Sequence, residues 1–118
     1  MIKKLFPEGL VLLAAMAFGM TAIPAVVEAE SAAGRIEEGK KLFVRHCAGC
    51  HGAEGKGDGY KLLGADPANL ASAVTKKQSD AALLKTIHEG RSTMPAWNVR
   101  LSERDSRDVL AYIRSLSK

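Results

Sequence analysis

Cys47-Ala48-Gly49-Cys50-His51 is the stretch whose reading decides the fold. Two cysteines separated by two residues and followed at once by histidine form the attachment pattern of a c-type haem. Each thiol can add to one vinyl group of a porphyrin. A two-residue spacer sets the thiols about one helical turn apart, close enough to reach neighbouring vinyls of one ring. His51 then falls beneath the iron as a proximal ligand. Three other readings of the pair compete. A redox dithiol needs a preceding strand and a βαβ setting. A zinc half-site needs two further ligands at suitable spacing. An ordinary disulfide needs nothing more. No second Cys-x-x-Cys and no His-x-x-x-His pair occurs in the chain.

The 118 residues fit one domain. Lys3 and Lys4 make the start positive, residues 10–27 carry no charge, and Val27-Glu28-Ala29 offers short side chains where a signal peptidase cuts. Residues 1–29 are therefore read as a signal peptide, and 30–118 as the functional domain. Pro7 and Glu8 are untidy for such a leader, and the uncharged run is near the minimum length for crossing a bilayer. An uncleaved membrane anchor is the alternative. Either way the domain lies outside the cytoplasm, in a periplasmic or otherwise exported position, where c-type haem is attached. The net charge of +4 is too small and too scattered for a nucleic-acid binder. A domain this small buries a limited core. A large apolar macrocycle would substitute for missing core side chains, so the chain without it is expected to fold poorly.

No strand-like alternation appears, and the expected class is all-α, with three longer helices and a short one. After a small-residue stretch at 30–34, a first helix begins near Arg35. Ile36, Gly39 and Phe43 share one of its faces, and Glu37 and Glu38 fall in its first turn. A glycine amid an apolar face costs helix stability, and its presence there points to a close approach by another backbone or a ring. Residues 52–64 are rich in glycine but lack the strand and the Gly-Lys-Ser/Thr of a phosphate loop. Asp66 as cap and Pro67 at the first position predict a short helix. Leu62, Leu63 and Leu70 are candidate pocket lining. A further helix spans 79–89 between Ser79 and Gly90, and an amphipathic one spans 102–117, with Ser102 and Asp105 approximating a capping box.

Outside the leader Met94 is the sole methionine, and it sits beside Pro95 in a loop without helical period. A thioether is a soft sixth ligand that raises a haem's potential. His46 and His88 are the competitors. His46 is expected to point away from the iron, and His88 to be a surface residue in the last turn of its helix. Trp97 is a candidate to pack on the ring and bond a propionate. Pro67 is a candidate to place a carbonyl against the second nitrogen of His51.

These residues resemble a class I, monohaem cytochrome c of the small exported bacterial type. The matching pieces are Gly39-x-x-x-Phe43, Cys47 to Gly52, Gly55-Lys56-Gly57-Asp58-Gly59, Asp66 to Leu70, Gly90 through Met94-Pro95-Ala96-Trp97, and Leu101-Ser102 leading to Tyr112-Ile113. The resemblance implies the cytochrome c fold, one covalent haem c, and His51 and Met94 as axial ligands. It also implies that the first and last helices cross at Gly39, with Tyr112 beside it. Tyr60 stands where relatives often have proline, which leaves open which carbonyl braces His51. The implied function is one-electron carriage, without enzyme activity, by a monomer serving donor and acceptor proteins. Lys56, Lys61, Lys76, Lys77 and Arg91 could surround an exposed haem edge and steer acidic partners. Against this stand a haem sensor or enzyme with Met94 displaced, a thiol–disulfide protein, and a dedicated subunit of a dehydrogenase or oxidase.

Overall fold

A computed structural model describes residues 31–61, 64 and 66–116. The leader assignment and the candidates Leu62 and Leu63 lie outside the described residues. Among the described residues five helices follow in order: α1 (Ala32–His46), α2 (Ala48–His51), α3 (Ala73–Lys77), α4 (Asp80–Glu89) and α5 (Glu103–Ser115). Three are long and two short. Among the described residues the sole bridge pairing joins Arg91 and Met94.

α1 starts earlier than Arg35, because Ser31 caps it by accepting from the Gly34 amide at 3.1 Å. Small residues there continue a helix once a cap is available. Glu37 and Glu38 consequently lie beyond the first turn, and Glu38 pairs instead with Lys41 at 2.6 Å. α4 is capped by Ser79 and stopped by Gly90, as the sequence predicts. α5 carries a complete capping box between Ser102 and Asp105.

The short helix expected at Asp66 and Pro67 is absent, and α3 forms further on under a Ser72 cap. The backbone of 66–70 is committed elsewhere. The Leu70 amide donates to Gly55 at 2.7 Å, the Ala68 carbonyl meets His51, and the Asn69 side chain holds the Ala71 amide at 3.0 Å. Such bonds compete directly with an i to i−4 ladder.

α1 and α5 make the most extensive helix–helix contact. A β-carbon at Gly39 would lie 1.8 Å from the Asp108 carbonyl oxygen. Only the missing side chain lets the two backbones approach so closely. Phe43 and Tyr112 pack beside the crossing, with ring centroids 5.2 Å apart. Phe43, Ile87, Leu101, Val109, Tyr112 and Ile113 form the buried cluster, which joins α1, α4 and α5.

Candidate haem-binding site

Cys47 leads directly into α2, which carries Cys50 and His51. Cys47 breaks the chain between α1 and α2 with φ −117° and ψ −36°, and its amide still donates to Phe43 at 2.8 Å. The His51 amide donates to Cys47 at 2.9 Å. Both cysteines are free thiols, half-buried, and face one cavity. His51 Nδ1 lies 2.9 Å from the Ala68 carbonyl oxygen. A carbonyl only accepts, so Nδ1 carries the proton and Nε2 keeps the lone pair a metal needs. The bracing carbonyl is thus Ala68's rather than that of Pro67. Below the ring, the Gly57 amide donates to the His51 carbonyl at 2.7 Å, and a β-carbon at Gly57 would lie 2.5 Å from the Pro67 carbonyl oxygen.

The cavity holds about 480 Å³, within the range of roughly 300–1,000 Å³ usual for cofactor sites. Cys47, Cys50 and His51 line it together with Met94, and so do Pro67 and Trp97. Leu70, Leu83, Ile87, Val109 and Ile113 give it apolar walls. Those residues fit a flat apolar macrocycle: two thiols and an imidazole come from Cys47 and the adjoining α2, a thioether from the loop after α4, and no charged side chain comes from α4 or α5.

Met94 sits in a loop that folds back on the end of α4. Arg91 and Met94 exchange two main-chain hydrogen bonds of 3.0 and 2.9 Å, with Ser92 at φ 54° between them. Gly90 has φ 75°, and a β-carbon there would lie 2.5 Å from the Met94 carbonyl oxygen. Trp97 is half-buried. Its ring lies 5.3 Å from that of His46, and the Arg100 guanidinium stands 5.9 Å from its centroid.

Two histidines depart from expectation. His46 is half-buried and lines the cavity beside Trp97. His88 is half-buried as well, and its Nε2 is 2.9 Å from Ser106 Oγ on α5. The one sequence signal for this was Ser106, a small hydroxyl on the apolar face of α5. Lys56 and Lys61 also differ from free docking charges. Lys56 pairs with Glu54, and Lys61 lies 3.3 Å from Asp66.

The competing readings of the cysteine pair lose ground on this geometry. Burial first, then the neighbouring Cys50, pushes the Cys47 thiol up to about 11. Thiol–disulfide exchange needs a thiolate, which such a group rarely supplies near neutrality. Among the described residues no three His, Cys, Asp or Glu side chains gather as metal ligands.

The fold and the pocket define a c-type cytochrome, and comparison with known proteins agrees. Residues 34–113 match the model of the family described as cytochrome c oxidase, cbb3-type, subunit III. The chain belongs to this family. It is 41% identical over 81 residues to the cbb3-type cytochrome c oxidase subunit FixP of Bradyrhizobium diazoefficiens, covering 67% of this chain and 27% of that one. It is 38% identical over 81 residues to subunit CcoP of Cereibacter sphaeroides, with the same coverage of 67% and 27%. The chain therefore spans about a quarter of the length of these curated relatives. Among solved structures, the KustC0563 c-type cytochrome superposes with a TM-score of 0.58 at 29% identity, covering 68% of this chain and 98% of that one. Cytochrome cL of Methylophaga aminisulfidivorans gives 0.55 at 29% identity, covering 69% and 52%. The all-α cytochrome c fold is the fold of this protein.

Proposed function

We propose that this chain carries single electrons on one haem c bound through Cys47 and Cys50, with His51 and Met94 as its axial ligands. One observation carries the reading: a single apolar cavity is lined by both thiols, by an imidazole whose Nδ1 is already committed to a carbonyl, and by the one methionine outside residues 1–29. When bound, the haem supplies reversible one-electron chemistry between ferrous and ferric iron.

The chain's own residues do the rest. Cys47 and Cys50 would hold the ring covalently, so that the cofactor survives repeated encounters. The Ala68 carbonyl fixes the rotation and the tautomer of His51. Leu83, Ile87, Val109 and Ile113 line the cavity with apolar side chains that exclude water. Met94 would supply its thioether to the haem iron, an arrangement that suits a carrier rather than an enzyme.

Donor and acceptor meet the protein outside the cytoplasm, and its relatives' names make a cbb3-type oxidase the natural setting. Steering toward acidic partners rests on Arg91, Lys76 and Lys77, since Lys56 and Lys61 face Glu54 and Asp66. Absorption spectroscopy of the ferric protein tests the core of this reading. A low-spin spectrum with the weak long-wavelength band of thioether-bound iron is expected. A high-spin spectrum with an open sixth position would favour a sensor or an enzyme instead.

A further inference from the structure

The Met94 loop has no helix of its own, and its main-chain bonds lead back to one place. The Trp97 amide donates to the Ile87 carbonyl at 3.0 Å, and the Asn98 amide reaches the His88 carbonyl at 3.4 Å. Gly90 brings the Met94, Pro95 and Ala96 backbone against the last turn of α4. The loop is therefore placed by the C-terminal turn of α4, and whatever holds that turn holds Met94.

Two things hold it. Leu83 and Ile87 are buried, and Ile87 packs with Val109 and Ile113 of α5. From the same turn, the His88 side chain reaches α5 and meets Ser106, which is fully buried. The Ser106 hydroxyl donates to the Ser102 carbonyl at 3.0 Å. A hydroxyl has one proton, so the imidazole must supply the other: Nε2–H donates to Ser106 Oγ. The bond is formed in both the neutral Nε2–H tautomer and the cationic ring. Arg114 of α5 ties the first turn of α4 through Asp80, whereas His88–Ser106 joins α5 to the last turn of α4, the end that carries the loop.

We infer that His88 is a positioning residue for the sixth ligand, acting on Met94 through the last turn of α4 and its bonds to Trp97 and Asn98. This rests on Met94 being that ligand. Losing the bond leaves the buried Ser106 without its donor and frees the turn that carries the loop. A net hydrogen bond of this kind corresponds to roughly a fivefold to tenfold change in a local equilibrium.

Binding of imidazole to the ferric holoprotein tests the inference, because imidazole must displace the resident ligand. His88→Leu, which keeps bulk, is expected to raise imidazole affinity about fivefold to tenfold and to speed hydrogen exchange at the Trp97 and Asn98 amides. Ser106→Ala should reproduce the effect, and the double variant should not add to it. His88→Gln, which can still donate to Ser106, should restore wild-type affinity. Wild-type affinity and exchange in both single variants would overturn the inference, as would a drop in melting temperature with imidazole affinity unchanged. Met94→Ala separates the two claims. If it raises affinity while the His88 and Ser106 variants do not, Met94 is the ligand and His88 does not position it. If it leaves affinity unchanged, Met94 is not the ligand and both claims fall. Should His88→Leu fail to accumulate, Ser106→Ala and His88→Gln give the answer.

Discussion

Two walls face each other across the cavity, and they are built by opposite means. On one, Cys47 and the adjoining α2 carry the two thiols and His51, and a carbonyl holds the imidazole from behind. The glycine loop beneath is packed so tightly that a β-carbon at Gly59 would lie 2.4 Å from the Gly49 carbonyl oxygen. On the other, Met94 belongs to a loop ordered by its own turn and by main-chain bonds to the end of α4. The lesson concerns stiffness. A wall that must present two thiols and a nitrogen in register is made of helix and close backbone contact. A wall that supplies one soft, flexible thioether is hung from a helix end, where local opening costs least.

The largest way to break this contrast is to unseat the rigid wall. Gly39→Val would drive a side chain into the Asp108 carbonyl, at a cost above about 4 kcal/mol. Little or no holoprotein should accumulate, and full yield with normal spectra would contradict the crossing described above. Met94→Ala attacks the other wall and should spare the fold. Haem stays bound while the reduction potential, read by redox titration, falls. An unchanged potential would count against the thioether.

Smaller effects sharpen the comparison by loosening the frame that both walls share. Arg114 of α5 binds Asp80 through two nitrogens at 2.9 and 2.7 Å, and donates to the Gln78 carbonyl at 2.6 Å. Arg114→Leu should cost on the order of 1.5–3 kcal/mol in chemical denaturation, since Gln78 and Thr75 on the cavity wall lose a brace. Ser102→Ala removes the cap of α5, worth about 1 kcal/mol. The Ser102 hydroxyl, then its amide, hold the Asp105 carboxyl below its ordinary value of 3.8. A lowered folded value stabilises at pH above 3.8, and that contribution is lost as pH falls through the folded value. The gap between wild type and Ser102→Ala should therefore narrow on acidification below that point. A gap that stays constant would mean the carboxylate contributes nothing.

Most of the rigid wall was legible in the sequence. Cys-x-x-Cys-His sets two thiols and an imidazole close together, and Gly39 amid an apolar stripe pointed to a close approach, against the reading of an indifferent glycine. Ser79, Gly90, Ser102 and Asp105 act locally, so their signals survive folding. What was illegible depends on contacts distant in the chain. The expected helix at Pro67 gave way to bonds with Gly55 and His51, which local propensity does not encode. Which carbonyl would meet His51 differed by one residue from the expected one for the same reason. His88 looked like a surface cation at a helix end, because its partner Ser106 lies eighteen residues away. His46 looked peripheral until Trp97 folded onto it.

The central claim is that Cys47 and Cys50 bind one haem covalently, and intact-mass spectrometry of the exported, denatured protein tests it most directly. The expected mass exceeds that of the polypeptide by one haem, with no free thiol left to alkylate. A compactly folded, colourless product of bare polypeptide mass, alkylated at both cysteines, would contradict it.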